Sequence, residues 1–221
     1  MEKISPLINL NELKNGIHKQ WIWKDYFKSC DYLQKINYCI QDLNREIDFL
    51  QDSSMKDVVF TIVLIDWIRE AVNALQGLII DSVANTFSYS RQLELDKANK
   101  YFVALRSFAV AHPLSTDRHK AIGFDGDMIC VDISKNVSMV IQPFTHTEDW
   151  YHLSYDGLIP NAKENSADFV LHVYSKQRDN MRFFKYIGVD YSDLFQVAEL
   201  NVDKLYSLDI FLGRLKKKDW V

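Results

Sequence analysis

The hydrophobic positions from Leu33 onward fall at Leu33, Ile36, Ile40, Leu43, Ile47 and Leu50, steps of three and four that only a helix can bury on one side. An earlier helix is expected over Leu7 to Phe27, where Leu10, Leu13, Ile17 and Trp21 keep the same rhythm and Gly16 marks a weak point. Ser53 and Ser54 offer caps for a third helix over Lys56 to Val83. Its first turns are apolar almost all round, which places it at the centre of a bundle, and its polar stripe is Asp66, Arg69, Glu70, Asn73 and Gln76. After a Ser/Thr-rich loop at 85–91, Ala98, Phe102, Leu105 and Ala109 mark a fourth helix that Pro113 must end.

Past residue 120 the pattern changes to short β-branched and aromatic runs bounded by polar clusters. Strands are expected at Met128–Ile133, Ser138–Gln142, Trp150–Ser154, Phe169–Tyr174 and Phe183–Val189, close enough together for an antiparallel meander. The chain then returns to helix from Ser192, with Leu205, Leu208, Phe211, Leu212 and Leu215 ahead of three lysines. The fold class is therefore α+β. A helical bundle over 1–120 is followed over 121–221 by an antiparallel sheet of about five strands and C-terminal helix, packed on the bundle.

Composition narrows the class of function. With 221 residues, 48% of them apolar, 25% charged and only 7 Gly and 4 Pro, the chain is a folded globular protein with long elements. Lys and Arg number 26 against 30 Asp and Glu, so no global basic field exists to coat nucleic acid. The deficit sits in the second half: residues 1–120 carry 15 basic and 15 acidic side chains, the remainder 11 and 15. Cys30, Cys39 and Cys130 are an odd number without CxxC spacing, which reads as free thiols in a reducing compartment. The run Val58–Ile65 is interrupted by Asp66, Arg69 and Glu70 well short of the roughly 20 apolar residues a membrane span needs. A cytoplasmic protein with no membrane partner is expected.

The candidate chemistry lies at the end of the fourth helix, in Arg106-Ser107-Phe108-Ala109-Val110-Ala111-His112-Pro113. Cleaving RNA through its own 2′-OH needs a group that moves protons near neutral pH and a fixed cation on the pentavalent phosphate, and histidine and arginine are suited to those roles. Just beyond, Arg118, His119 and Lys120 add local positive charge along a path for phosphate. Asp66, Arg69, Glu70 and Asn73 are supporting candidates, because a carboxylate on an otherwise buried helix needs a partner and Arg106 on a packed neighbour is one. The same residues also fit a purely structural helix end, since a histidine at a helix C-terminus is favoured by the backbone dipole alone.

This stretch resembles the Arg-x(4–6)-His motif of the HEPN superfamily, all-helical domains many of which are metal-independent ribonucleases of toxin–antitoxin, abortive-infection and CRISPR systems. The resemblance covers the helical half only, and Ser107 stands where the family usually has Asn, Asp or His. It implies that Arg106 is the phosphate-binding cation and His112 the acid/base or orienting imidazole. It further implies a homodimer that brings two motifs across one cleft, RNA as substrate, an antitoxin or regulatory protein as partner, and no cofactor or metal. The alternative is a non-catalytic dimerising or interaction protein in which the Arg/His pair is structural, and it would be signalled by Arg106 buried in an ion pair with Asp66 or Glu70 and by His112 away from any cleft.

Other constellations carry less. Asp125-Gly126-Asp127 before a strand is first a hairpin signature and only secondarily, with Asp132, a carboxylate cluster. His146, His152 and His172 fall on or beside different strands with no fixed ligand spacing. Ser115, Asp117 and His119 are triad types crowded into one loop, and no phosphate-cradling glycine loop occurs. An enzyme site in the sheet half would be signalled by a deep pocket lined by these histidines or by Asp125 and Asp127.

Overall fold

The computed structural model describes residues 3–111, 128–134, 145–160, 167–176 and 182–219. The protein is α+β, with an N-terminal helical part, a mixed sheet of which five strands lie among the described residues, and a long C-terminal helix. Helices α1 (Tyr26–Glu46) and α2 (Met55–Leu78) form where the three-and-four spacing predicts them. Asp25 caps α1 by accepting from the Lys28 amide, and Ser54 and Asp57 form a reciprocal capping box on α2. Helix α2 buries Val58, Ile62, Leu64, Ile65, Ile68, Val72 and Leu75, while Phe60, Trp67, Glu70 and Asn73 form an exposed face, so it is not enclosed on all sides as the apolar first turns predict. It ends at Leu78, and the continuation expected to Val83 is instead an extended Ile79 followed by the one-turn helix α3 (Asp81–Ala84).

The helix expected over Leu7 to Phe27 does not form. Residues 4–24 run as an extended strap with single 3-10 turns at Leu10–Glu12 and Gln20–Ile22. Side chains of other elements take the backbone hydrogen bonds that a helix would have satisfied internally. The Leu7 amide donates to Asn44 Oδ1 at 2.8 Å, and the Asn44 amide returns a bond to the Leu7 carbonyl at 2.9 Å. The Leu10 amide donates to Asn37, and the Tyr206 hydroxyl to the Asn9 carbonyl at 2.6 Å. Further on, the amides of Asn15, Gly16 and Ile17 and the Asn15 side chain all donate to the Asp209 carboxylate at 2.7–3.0 Å. Trp23 then bridges to Ile79.

Helix α4 (Gln92–Arg106) passes directly into a π-helical turn, Ser107–Ala111. Helix α5 (Tyr191–Arg214), from the second half of the chain, packs on both α2 and α4. It buries Leu194, Val197, Ala198, Val202, Leu205, Leu208 and Leu212, so it belongs to the same interior as the bundle. Each such leucine or valine side chain contributes about 1.5–3 kcal/mol when fully buried.

The strands are β1 (Met128–Ser134), β2 (Thr145–Ser154), β3 (Gly157–Pro160), β4 (Phe169–Lys176) and β5 (Arg182–Val189), in the order β1-β4-β5-β2-β3. Three of the four pairings are antiparallel as expected, but β2 runs parallel to β5, so the sheet is mixed and its order is not that of a simple meander. The β4–β5 hairpin enters between β1 and β2, which separates strands adjacent in sequence. Strand β3 lies outside the expected set; it follows a turn in which Gly157 takes a φ of 114°, a conformation glycine accepts and other residues resist. The strand expected at Ser138–Gln142 lies outside the described residues.

One face of the sheet joins the helical core through Ile133, Leu153, Phe169, Leu171, Val173, Ile187 and Val189. The junction is fixed by polar contacts as well. Tyr155 donates to the Asp193 carbonyl at 2.6 Å and sets its ring edge-on to Tyr101 at 5.0 Å, and Asp168 accepts from the Tyr191 amide. The three cysteines are free thiols, Cys39 buried and the other two half-buried, and no helix among the described residues is long and apolar enough to cross a membrane.

Candidate functional site

Asp66 sits in the middle of α2 on the side that meets the end of α4, and its side chain is 10% exposed. Desolvating a carboxylate this far requires compensation on both oxygens. Asp66 Oδ1 accepts from Arg69 Nη2 at 3.0 Å, and Oδ2 forms an ion pair with Arg106, 2.7 Å from its Nε. One carboxylate thus joins two arginines, one from its own helix three residues on and one from the last position of α4. Arg69 also pairs with the more exposed Glu70, and its guanidinium carbon lies 5.9 Å above the Phe102 ring. With two acids and two arginines the cluster is electrically balanced.

The two arginines differ in access. Arg69 is 11% exposed, and its Nε is buried without a hydrogen-bond partner. Arg106 is 33% exposed, and only its Nε is engaged among the described residues. Its terminal nitrogens therefore present a fork of donors suited to a phosphate or carboxylate. Directly after it, the π-helical turn buries Ser107 and Phe108, each 1% exposed, and the Ser107 hydroxyl donates back to the Ala104 carbonyl. Turns of this type are uncommon and occur often at functional positions.

Of the supporting residues, Asp66, Arg69 and Glu70 are brought together with Arg106, whereas Asn73 lies further along α2, exposed and making no hydrogen bond to the cluster. His112, Arg118, His119 and Lys120 lie outside the described residues, as do Ser115, Asp117, Asp125 and Asp127. Two cavities of about 470 and 270 Å³ are lined by other parts of the molecule.

In the sheet half, the histidines have separate partners. His152 on β2 places Nε2 3.1 Å from Asp190, the residue preceding α5. That hydrogen bond raises the imidazole above its ordinary range; burial opposes it, and the charges of Asp190, Asp193 and Asp168 reinforce it. His172 on β4 is fully buried with Nε2 2.7 Å from the Ser134 hydroxyl, and burial pushes it down despite the charge of Asp132. The side chain of His146 lies outside the described residues, and among those described no group of three or more His, Cys, Asp or Glu is placed to hold a metal. The His152–Asp190 pair escaped the sequence reading because its members are 38 positions apart with no motif to link them; the one available signal was an aspartate at the start of an apolar helix.

Among the described residues, the polar cluster with an open arginine at the end of α4 has donors suited to an anionic group. In comparison with known proteins, no family model, no curated protein and no solved structure matches the chain.

Proposed function

We propose that the chain acts on RNA through Arg106 and His112, as a HEPN-like, metal-independent endoribonuclease of a bacterial defence, toxin–antitoxin or mobile-element system. The observation that carries this reading is the state of Arg106: Asp66 fixes it through Nε at 2.7 Å while a third of the side chain stays open to solvent. An arginine held in this way is oriented in advance, so it loses little freedom when phosphate arrives. Arg106 then stabilises the charge that develops on the phosphate, and His112, six positions on in sequence, moves the proton of the attacking 2′-OH. Arg118, His119 and Lys120 add positive charge to the same stretch of chain. The resemblance to the family further implies a homodimer and an antitoxin or regulatory protein that binds it.

The test is cleavage of a mixed-sequence RNA by purified protein with and without EDTA. Wild type is expected to cut in both conditions, with losses of about 10²–10⁴-fold for His112→Ala and about 10²–10³-fold for Arg106→Ala. Intact RNA in both conditions overturns the proposal. The second reading, a dimerising or interaction protein, is favoured by the same ion pair seen from the other side: Asp66 needs a cation whether or not RNA is present. On that reading Arg106→Ala costs stability by taking one of the two cations from Asp66, with Arg69 still paired to it, and no nuclease activity exists to lose.

A further inference from the structure

The cavity of about 270 Å³ lies between the ends of three helices, some distance from Arg106. Gln76 at the end of α2 and Asp66 on the same helix are ten positions apart, which is about 15 Å along the axis. The cavity is walled by Ile79, Ala84 and Phe87, by Gln92 in the first turn of α4, and by Lys204 from the middle of α5. Its walls are fixed. Phe87 is backed by Phe211 with ring centroids 5.5 Å apart, and Tyr89 is held by its hydroxyl, which donates to Asp203 at 2.6 Å.

Lys204 is the unusual member. It is 7% exposed, yet it makes no ion pair or hydrogen bond among the described residues. A buried ammonium ordinarily has a carboxylate beside it. The nearest acidic influence is Asp96, which is exposed and already accepts from the Gln92 amide at 2.7 Å. Burial accordingly lowers the Lys204 ammonium from its usual range, with Asp96 only partly offsetting it. The fold therefore places an unpaired lysine, its stem largely buried and its ammonium still touched by solvent, in the wall of a small cavity whose other walls are the Phe87 and Tyr89 rings, aliphatic groups and two side-chain amides.

We propose that this cavity binds a small organic monoanion with a planar, ring-bearing body, its anionic group on Lys204 and its ring against Phe87 and Ile79. The ligand supplies the counter-charge the protein withholds, and the amides of Gln76 and Gln92 are placed to orient it. The size of the cavity favours a single-ring metabolite over a nucleotide or a peptide. This inference does not depend on the RNA reading, since none of its residues belongs to the Arg106 cluster.

Benzoate serves as the probe, with benzamide as its neutral isostere and inorganic phosphate as an anion lacking the ring. Binding is followed by the shift of the Lys204 ε-methylene resonance and by thermal denaturation. Wild type is expected to respond to millimolar benzoate with a saturable shift and a raised Tm, and to bind benzamide and phosphate about tenfold or more weakly, since a charge-assisted hydrogen bond is worth roughly that factor. Lys204→Met keeps the apolar stem and should abolish the preference for benzoate over benzamide. It should also fold at least as stably as wild type, because no partner is stranded. Ala84→Leu fills the cavity, leaves Lys204 in place and should block benzoate. Equal binding of benzoate and benzamide, tighter binding of phosphate, undiminished binding to either variant, or no response at saturating probe overturns the proposal. Marked destabilisation by Lys204→Met also counts against it, since it would show the ammonium to be structural.

Discussion

At the scale of single residues, the protein treats its buried charges in different ways. For Asp209, burial works against ionisation, but the amides of Gly16 and Ile17 and both donors of Asn15 hold its carboxyl below the usual range. His152 with Asp190 is simpler, one hydrogen bond of 3.1 Å between the sheet and the residue before α5. Because the folded state raises the imidazole above its unfolded value, the protonated pair stabilises the fold fully below about pH 6.5. That contribution is lost as pH rises through the elevated folded value. Chemical denaturation at pH 6 and pH 8.5 should therefore show wild type losing more stability than His152→Gln over the interval. Parallel pH dependence in the two proteins would remove the pair from the stability of the fold.

At the scale of elements, the strap of residues 4–24 shows how far a hydrophobic pattern determines structure. Ile4, Leu7, Leu10 and Leu13 are all buried, and their spacing of three suits a helix face. It suits equally an extended chain with about three residues per turn, and Asn9, with φ −72° and ψ 137°, adopts that geometry. The pattern was legible as burial but not as helix, because the competing hydrogen bonds come from Asn37, Asn44 and Asp209, none of which is local. Leu10, Leu13, Ile17 and Trp21 even keep the three-and-four steps of α1, so rhythm alone did not separate strap from helix; α1 was legible because its rhythm runs unbroken from Leu33 to Leu50 without a glycine, whereas Gly16 interrupts the strap. Gly16 is the strap's closest approach to α5: a methyl group there would overlap the backbone of Gly213 and Leu212. Asp209→Ala, which strands three backbone amides, and Gly16→Ala, which forces the backbones apart, should each cost about 3 kcal/mol in urea denaturation. Both should speed amide exchange at residues 15–17, and unchanged exchange there would refute the anchoring role.

At the scale of the whole molecule, the helical and sheet portions share one interior. Core residues run without interruption from Ile4 through Phe102 and Leu171 to Leu212, and α5 supplies a buried face to both α2 and α4. Thermal unfolding should accordingly be a single transition, and a fragment of residues 1–120 should lack cooperative unfolding because the face that α5 covers is left open. Two separate calorimetric transitions, or a cooperative fragment, would contradict this. The composition change near residue 120 marked the onset of strands correctly, while the parallel β2–β5 pairing was beyond reach of the sequence, since pairing partners are chosen by the whole sheet. The Asp66–Arg106 contact was legible for the opposite reason: a carboxylate in an apolar helix demands a cation, and few were near.

The strap has a further consequence for how the protein is made. Lys19 closes the end of α5 by donating to the carbonyls of Leu212, Gly213 and Leu215 at 2.8–2.9 Å, contacts that span more than 190 positions of sequence. At synthesis rates of 5–20 residues per second, about 10–40 s separate the appearance of the lysine from that of the carbonyls it receives. Throughout that interval Asn15 to Lys19 have no docking surface on α5, and an apolar segment waits within reach of other nascent chains. Early-made residues are thus among the last to settle, and a chaperone that shields residues 4–24 would act during this delay.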